Sequence, residues 1–205
     1  PSMASLAALR AGAGLVTAAV PKSILNTVAR IAPELMLAPL DQGSEGAVSL
    51  ANLATIDALI QAKRISVLAL GPGLSTKGEA SELARQLVVT SKLPMVVDAD
   101  ALNAFDGHVA TLNGEGRTLV LTPHPGEMAR LADLSIPQVE ADRIGLARSF
   151  ATQHKLTLVL KGWRTLIAHP DGRVAVHTSG NPAMAKGGSG DILTGIVAAL
   201  LAPFP

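Results

Sequence analysis

A glycine-rich stretch at residues 187–190, followed by Asp191 and an apolar helical pattern, is the strongest chemical motif in the chain. Glycines let the backbone turn its amides toward an anion, and a helix N-terminus adds partial positive charge. Asp191 could cap that helix, or it could be a base that deprotonates a hydroxyl attacking phosphorus. A carboxylate without such a task would repel a bound phosphate, which favours the base. An ordinary capped glycine turn is the alternative interpretation.

A second polar group, Asp98, Asp100 and Asn103, follows the apolar run at residues 95–97. Carboxylate and amide oxygens at a strand end can hold Mg²⁺, directly or through water. We expect Asp100 to cap the next helix, and Asp98 or Asn103 to belong to a site. The sequence contains no complete metal cage. We therefore assign no metal ligand and expect any Mg²⁺ to arrive mainly on nucleotide phosphates.

Two proline-containing loops follow further apolar runs. His124 is held between two prolines, which suits a fixed contact with a ligand, although a loop histidine without a role is the alternative. Gly73 belongs to a Gly-Pro-Gly sequence that follows the run at residues 65–70. This sequence could form only a tight turn, but its place at a strand end favours ligand contact.

A fourth loop begins with Lys161, at the end of the apolar run at residues 156–160. Lys161 could neutralise a phosphate, and Gly162 permits a close approach of the backbone. Trp163 could pack on a nucleotide base or simply cover the hairpin that follows. A solvated lysine in a turn is the alternative, and it is the better interpretation of this loop taken alone.

The elements that must position these residues alternate between short apolar runs and longer helical patterns. The runs at residues 65–70, 95–97 and 118–121 are continuously apolar, as in strands that are buried on both faces. This pattern predicts an α/β protein with a parallel, helix-covered sheet. Ligands of such sheets bind beyond the carboxyl ends of the strands, where each run here leads into Gly, Pro, His or carboxylates.

The remaining elements follow from periodicity and turn residues. Helices are predicted at residues 2–11, 22–30, 49–62, 78–89, 126–133, 139–154 and 192–201. Further strands are predicted at residues 15–20, 35–38 and 156–160, with a hairpin formed by residues 166–169 and 174–177.

Composition bounds the class of protein. A chain of 205 residues, 48% of them hydrophobic, fits one domain with a sizeable core. A net charge of +1 without a basic cluster argues against binding to nucleic acid. The absence of cysteine excludes disulfides and thiolate chemistry, and fits a cytoplasmic protein. No apolar run reaches the roughly 20 residues that span a bilayer, so we expect no membrane association.

Taken together and in order, these motifs resemble the bacterial NAD(P)H-hydrate dehydratase domain, which is often fused to an NAD(P)H-hydrate epimerase. The resemblance covers essentially the whole chain and is carried by residues 8–17, 71–74, 98–103, 121–128, 160–162 and 180–191. It implies a three-layer α/β/α ribokinase-like fold with a mainly parallel central sheet. It also implies a lyase, in bacteria usually a homotetramer, that binds an adenine nucleotide and a hydrated nicotinamide cofactor.

The resemblance also implies which residues bind each ligand. The adenine nucleotide is expected at Lys161, Gly162, Trp163, Arg164, Thr165 and Gly190. The damaged cofactor is expected at Gly73, His124 and Asp191, and we add Asn103 to this group.

The implied reaction converts the S form of hydrated NADH or NADPH back to NAD(P)H. ADP in most bacterial members, or ATP in others, becomes AMP or ADP and phosphate. A hydroxide leaves a saturated ring poorly, and phosphorylation turns it into a good leaving group. Our hypothesis is that Asp191 takes the hydroxyl proton, while the amides of Gly188, Ser189 and Gly190 stabilise the transferring charge.

Two departures from the family pattern are visible. Ala183 stands where the family usually has Gly, and Lys186 where it often has Ser or Thr. Family members also begin earlier, with a strand and a glycine-rich loop, and continue further with more helix. We therefore expect residues 1–205 to be a single ribokinase-like domain that is truncated at both ends.

Two other functions stay open. A ribokinase-like small-molecule kinase of vitamin synthesis would share the fold and the glycine-rich loop, but it would leave the phosphate on its product. A nucleotide-binding module without catalysis would not need Asp191 as a base.

Overall fold

The structure is a computed structural model that describes residues 1–43 and 45–203. Its strands are β1 (Thr17–Pro21), β2 (Met36–Leu40), β3 (Leu68–Leu70), β4 (Met95–Val97), β5 (Leu119–Leu121), β6 (Thr157–Leu160), β7 (Leu166–Ala168) and β8 (Val174–Val176). Its α-helices are α1 (Ser2–Arg10), α2 (Leu25–Ala29), α3 (Asn52–Lys63), α4 (Ala80–Thr90), α5 (Asp100–Asn103), α6 (Pro125–Ala132), α7 (Ile136–Ala141), α8 (Arg143–Gln153) and α9 (Ser189–Leu201). Short 3-10 turns cover Lys22–Ile24, Val109–Thr111 and Pro182–Met184.

The main sheet has six strands in the order β3-β4-β5-β6-β7-β8. The pairs from β3 to β6 are parallel, whereas β7 and β8 add an antiparallel hairpin at one edge. Met95, Val96 and Val97 of β4 are all completely buried, although neighbouring side chains point to opposite faces. Both faces of the sheet are therefore covered, and the prediction of a mainly parallel, helix-covered sheet is confirmed.

Helices cover this sheet in two layers. Because β3 to β6 follow one another in space as they do in the chain, right-handed crossovers place the connecting helices α4 to α8 on one face. Helix α9 follows the hairpin and covers the other face across β3 and β4, and α1 packs against α9. No α-helix within residues 1–43 and 45–203 is long and apolar enough to cross a lipid bilayer.

Strands β1 and β2 form a separate parallel pair. A cavity of about 880 Å³ lies between this pair and the main sheet, and residues of both β1 and β3 line it. Mostly apolar side chains surround the cavity, among them Val20, Leu68 and Leu70. The main sheet is thus open at β3, toward β1.

The predicted helices differ from the structure in their bounds, and one of them is two helices. The single helix predicted at residues 139–154 is wrong, because α7 and α8 are separated at Asp142, which has φ −143° and ψ 68°. The Asp142 carboxylate accepts a hydrogen bond of 2.9 Å from the Gly145 amide and so begins α8 as its N-cap. The helix predicted at residues 22–30 is a 3-10 turn followed by α2, and α9 starts at Ser189 instead of residue 192.

Candidate functional site

The loops that carry the predicted site residues meet at one edge of the main sheet. The ends of β3, β4 and β5 lie in register, with Leu70 beside Val97 and Val97 beside Leu121. The next strand is tied to the same edge, because the Lys161 amide donates a hydrogen bond of 2.8 Å to the Pro123 carbonyl. The loops that begin at residues 71, 98, 122 and 161 are therefore neighbours.

A buried ion pair lies at the centre of this edge. The Lys161 ammonium is 2.8 Å from Oδ1 of Asp98, and the Thr194 hydroxyl of α9 donates a hydrogen bond of 2.8 Å to Oδ2. The Glu127 carboxylate of α6 lies 3.6 Å from the same ammonium. The side chains of Asp98 and Glu127 are only 2% and 6% exposed. Strands β4 and β6 and helices α6 and α9 thus converge on one polar cluster.

The pKa of Asp98 reflects these contacts. Burial by itself would raise the pKa of this carboxyl, because the charged form loses its water. The charge of Lys161 and the hydrogen bonds from Lys161 and Thr194 outweigh burial, and they hold the pKa of Asp98 below its ordinary value. Asp98 is therefore a buried carboxylate that stays ionised and paired at neutral pH.

The first turn of α9 lies directly over this ion pair. A Cβ atom added at Gly190 would lie 3.5 Å from the Lys161 ammonium nitrogen and 3.6 Å from Oδ2 of Asp98. Gly188, the N-cap, has a φ of +90°, a conformation that favours glycine. An added Cβ there would lie only 2.1 Å from Cε of Met3 in α1, but this is the end of a flexible side chain, so the positive φ is the stronger reason for glycine.

The amides of this turn are not all equivalent. The Ser189 amide donates to the Lys186 carbonyl over 3.1 Å, and its hydroxyl donates to the Met184 carbonyl over 2.6 Å. The amides of Gly190 and Asp191, by contrast, have no backbone acceptor within the described part of the chain. Free first-turn amides above a lysine ammonium make a site for an anion such as phosphate.

Asp191 lies in the first turn of α9 and does not cap it. Among the described residues its half-buried carboxylate has no hydrogen-bond or ion-pair partner. The capping role that the sequence left open is therefore absent in this structure. A carboxylate without a partner beside free amides is placed to accept a proton from a bound hydroxyl.

An arginine that sequence analysis missed shapes the loop at residues 161–165. Arg143 of α8 donates a hydrogen bond of 2.7 Å to the Trp163 carbonyl. A Cβ atom added at Gly162, whose φ is +143°, would lie 2.9 Å from the Arg143 guanidinium. The loop closes with a hydrogen bond of 3.1 Å from the Thr165 hydroxyl to the Gly162 carbonyl. No pattern in the sequence pointed to Arg143.

Trp163 is the most exposed part of that loop. Its side chain is 77% exposed, and the Arg164 guanidinium lies 4.2 Å from the centre of its ring. Trp163 therefore does not cover the hairpin, the structural role that the sequence allowed. An exposed indole with a stacked guanidinium offers a flat, positively charged surface.

His124 has a structural role that its sequence position did not reveal. Its Nδ1 accepts hydrogen bonds from the amides of Gly126 and Glu127, at 3.0 and 3.2 Å. The Glu127 carboxylate in turn accepts from the His124 amide at 2.8 Å, which completes a capping box at the start of α6. Because Nδ1 must be unprotonated to accept, Nε2 carries the ring proton, and it lies 3.4 Å from Oε1 of Glu127 on a side chain that is 51% exposed.

The remaining predicted residues lie on neighbouring loops. Gly73 has a φ of +71°, and a Cβ added there would lie 2.8 Å from Cδ of Pro1. Asn103 accepts a hydrogen bond of 3.0 Å from Arg130 of α6. The prediction that Asp100 caps α5 is wrong, because Asp100 is the first residue of the helix and accepts from the Ser75 amide at 2.8 Å.

Comparisons with known proteins identify the family of this chain. A family model described as NAD(P)H-hydrate dehydratase matches residues 1–204. The chain is 45% identical over 199 residues to the bifunctional NAD(P)H-hydrate repair enzyme of Moorella thermoacetica. The aligned region covers 97% of this chain and 37% of the Moorella enzyme. The chain is 42% identical over 153 residues to the ADP-dependent (S)-NAD(P)H-hydrate dehydratase of Neisseria meningitidis, covering 73% of this chain and 52% of that one.

Solved structures confirm the ribokinase-like fold. The structure superposes with a TM-score of 0.74 on the ADP/ATP-dependent NAD(P)H-hydrate dehydratase of Bacillus subtilis, at 28% identity, covering 98% of this chain and 68% of that one. A ribokinase-like superfamily protein of Enterococcus faecalis gives a TM-score of 0.81 at 27% identity, covering 100% of this chain and 66% of that one. The chain spans little more than a third of the length of the bifunctional relatives and about half of the Neisseria protein. Because the family model matches nearly the whole chain, the chain belongs to the NAD(P)H-hydrate dehydratase family.

Proposed function

We propose that this protein dehydrates the S form of hydrated NADH or NADPH, converting ADP or ATP into AMP or ADP and phosphate. One observation carries the proposal: the free amides of α9 lie over the Lys161 ammonium, beside the carboxylate of Asp191. This arrangement combines an anion site with a base. The names of the Moorella and Neisseria relatives, which include NAD(P)H-hydrate repair and ADP dependence, support the same reaction.

In the proposed mechanism, Asp191 accepts the proton of the substrate hydroxyl. The hydroxyl oxygen bonds to the terminal phosphorus as the bond from phosphorus to the bridging oxygen breaks, which releases AMP or ADP. The amides of Gly190 and Asp191, with the ammonium of Lys161, stabilise the charge on the transferred phosphoryl group. Phosphate then leaves the ring, a proton leaves the adjacent ring carbon, and the double bond of the dihydronicotinamide returns.

Mg²⁺ fits this site as an ion carried by the nucleotide. The described residues contain no group of three or more acidic or histidine side chains that could form a metal cage. Mg²⁺ in such sites needs only one or two carboxylates, because phosphate oxygens and water supply the other ligands. Three carboxylates lie near this turn or its ammonium, those of Asp98, Glu127 and Asp191. Because Lys161 and Thr194 already contact Asp98, the other two would hold the ion, which would offset the negative charge of the phosphates.

The loop at residues 161–165 is the proposed nucleotide site. The exposed Trp163, with Arg164 stacked on it, provides a surface for an adenine ring, and Lys161 lies at the phosphate end. The hydrated cofactor would then bind at Gly73 and His124. We extend this substrate site to Asn103, whose amide Arg130 holds in place.

The cellular setting is part of the same proposal. We propose a cytoplasmic homotetramer that acts with an NAD(P)H-hydrate epimerase, either fused to it or separate. The name of the bifunctional Moorella relative supports a fused arrangement, since this chain spans only 37% of its length.

A small-molecule kinase is the second candidate function. The chain has the fold of a hydroxyethylthiazole kinase of Pyrococcus horikoshii, with a TM-score of 0.55 at 15% identity. A kinase and the dehydratase share phosphoryl transfer to a hydroxyl, and they differ in whether the phosphate stays on the product.

The test combines the complete protein with chemically hydrated NADH, Mg²⁺ and either ADP or ATP. We expect the near-ultraviolet absorbance of the dihydronicotinamide to return, to require nucleotide and to release free phosphate. Asp191→Asn should abolish the recovery while still binding ADP. Failure of the wild-type protein to restore absorbance, despite binding nucleotide, would reject the dehydratase and favour the kinase.

A further inference from the structure

The buried pair of Asp98 and Lys161 is not explained by ligand binding alone. Both carboxylate oxygens of Asp98 are already occupied, one by the Lys161 ammonium and the other by the Thr194 hydroxyl, each at 2.8 Å. The Asp98 side chain is also only 2% exposed, so a substrate does not reach it. Any effect of Asp98 on the reaction must therefore pass through the Lys161 ammonium or the Thr194 hydroxyl.

The net charge of the cluster makes its location unexpected. Asp98 and Glu127 carry two negative charges against the single positive charge of Lys161, so the cluster is net negative. Such a cluster below an anion site weakens the attraction for phosphate. Buried ion pairs also contribute little to stability on average, compared with well-packed apolar residues. Neither phosphate attraction nor folding by itself accounts for Asp98.

The geometry indicates a different task. The Lys161 ammonium lies near two carboxylates, that of Asp98 at 2.8 Å and that of Glu127 at 3.6 Å. Asp98 is fixed in turn by Thr194, one helical turn beyond Gly190 on α9, so the ammonium is aligned with the turn that carries the free amides. The same helix thus positions the amides and, through Asp98, the lysine.

We infer that Asp98, held by Thr194, is a positioning residue that keeps the Lys161 ammonium beneath the first turn of α9, where it faces the phosphoryl group in transfer. This inference rests on the proposed function. It assigns to Asp98 and Thr194 a role in the rate of phosphoryl transfer and not in the capture of nucleotide.

Asp98→Asn separates an effect on the rate of phosphoryl transfer from an effect on nucleotide binding. The amide keeps the shape of the side chain and can still accept from Thr194, but it no longer holds the ammonium, which can turn toward Glu127. The loss of one negative charge near the anion site cannot weaken nucleotide binding through electrostatics. We expect kcat to fall by about 10- to 100-fold, as for a group displaced by about 1 Å, with the Kd for ADP unchanged or lower.

The experiment measures kcat, the Kd for ADP by calorimetry, and Tm, for the wild-type protein and three variants. Thr194→Val removes the second contact of Asp98 and should lower kcat in the same direction by a smaller factor. It also covers the case in which Asp98→Asn does not fold. Glu115→Gln is the matched control, because it removes an exposed ion pair with Lys155 that is remote from this edge. Its kcat should equal that of the wild-type protein.

Each result bears on one claim. A fall in kcat without weaker ADP binding, for Asp98→Asn or for Thr194→Val, supports the inference. Wild-type kcat in both variants overturns it, as does a loss of ADP binding that matches the loss of kcat, which is the pattern of a merely structural role. A wild-type protein that binds ADP but restores no NADH rejects the proposed function instead, before any variant is compared.

Discussion

At the scale of single residues, close approach and charge decide which side chains the site can use. Gly71 is required because a Cβ atom there would lie 1.7 Å from the Asp98 carbonyl oxygen. This contact brings the end of β3 against the end of β4 and places the two loops side by side. Asp98 itself is buried and ionised, and it holds its charge only because Lys161 and Thr194 surround it. The charge of Asp98 thus depends on partners that packing brings to it.

The lowered pKa of Asp98 predicts how the stability of the fold depends on pH. A carboxyl whose pKa is lower in the folded state stabilises the fold above its unfolded pKa, near 3.9, and loses this contribution as pH falls through its folded pKa. Asp98→Asn should therefore cost about 1.5–3 kcal/mol of unfolding free energy at neutral pH, since Lys161 loses its nearer partner and keeps only the Glu127 carboxylate, 3.6 Å away. The difference between the two proteins should shrink as the pH falls below about 3.9.

Denaturant unfolding at a series of pH values measures this difference. Glu115→Gln is again the control, because solvent screens its exposed ion pair with Lys155, which contributes little to stability. A gap between wild type and Asp98→Asn that stays constant into strong acid would contradict the prediction.

At the scale of elements, the helices do more than cover the sheet. Helix α9 supplies the amides, the carboxylate of Asp191 and the hydroxyl of Thr194 from its first two turns. Helix α8 supplies Arg143, whose guanidinium donates to the Trp163 and Lys161 carbonyls of the loop between β6 and β7. The break at Asp142 explains why Arg143 is available. It starts a new helix at Arg143, at the end of α8 nearest the site loop.

Arg143→Met tests the role of α8 in nucleotide binding. A hydrogen bond from a charged donor contributes about 1.5–3 kcal/mol, so loosening the loop at residues 161–165 should raise the KM for ADP by about 10-fold or more. Arg148→Met is the matched control on the same helix, because Arg148 donates over 3.1 Å to the Gly172 carbonyl in the turn between β7 and β8. Steady-state kinetics should separate the two variants. Equal values of KM for them would argue against a special role of Arg143.

At the scale of the whole molecule, the open edge of the main sheet is the most informative feature. Strand β3 and strand β1 both line a cavity of about 880 Å³, and each is paired only on its other side. The family resemblance implies an additional strand ahead of residues 8–17, and β1 and β3 each have an edge at which such a strand would pair. We propose that such a strand joins the two sheets into one.

Hydrogen exchange tests that proposal. In a longer form of the protein that carries the additional strand, the amides of β1 and β3 should exchange far more slowly than in residues 1–205 alone, because they gain strand partners. The amides of β4 and β5, which are paired on both sides, should be protected equally in both forms. Identical exchange of β1 and β3 in both forms would show that the gap holds no strand.

The sequence by itself determined the class of fold and the edge at which the site lies. Continuously apolar runs such as residues 95–97 predict strands buried on both faces, and the polar residues after them mark the carboxyl ends of a parallel sheet. The glycine-rich turn before α9 was likewise readable, because glycine is needed where the backbone has a positive φ, as at Gly188. These features are local, so spacing and residue type are sufficient to reveal them.

Only the tertiary structure decided which polar side chains meet. Asp98 and Lys161 are 63 residues apart, and Asp98 and Thr194 are 96 apart, so no local pattern relates them. The same holds for Arg143 and the carbonyl oxygens of its loop, and for the cap that His124 forms with Glu127. Partners and caps depend on where packing brings the loops. The physical reason is that a buried charge must be paired, and its partner is the group that the fold places beside it. The separation of the two residues in the sequence does not determine which group that is.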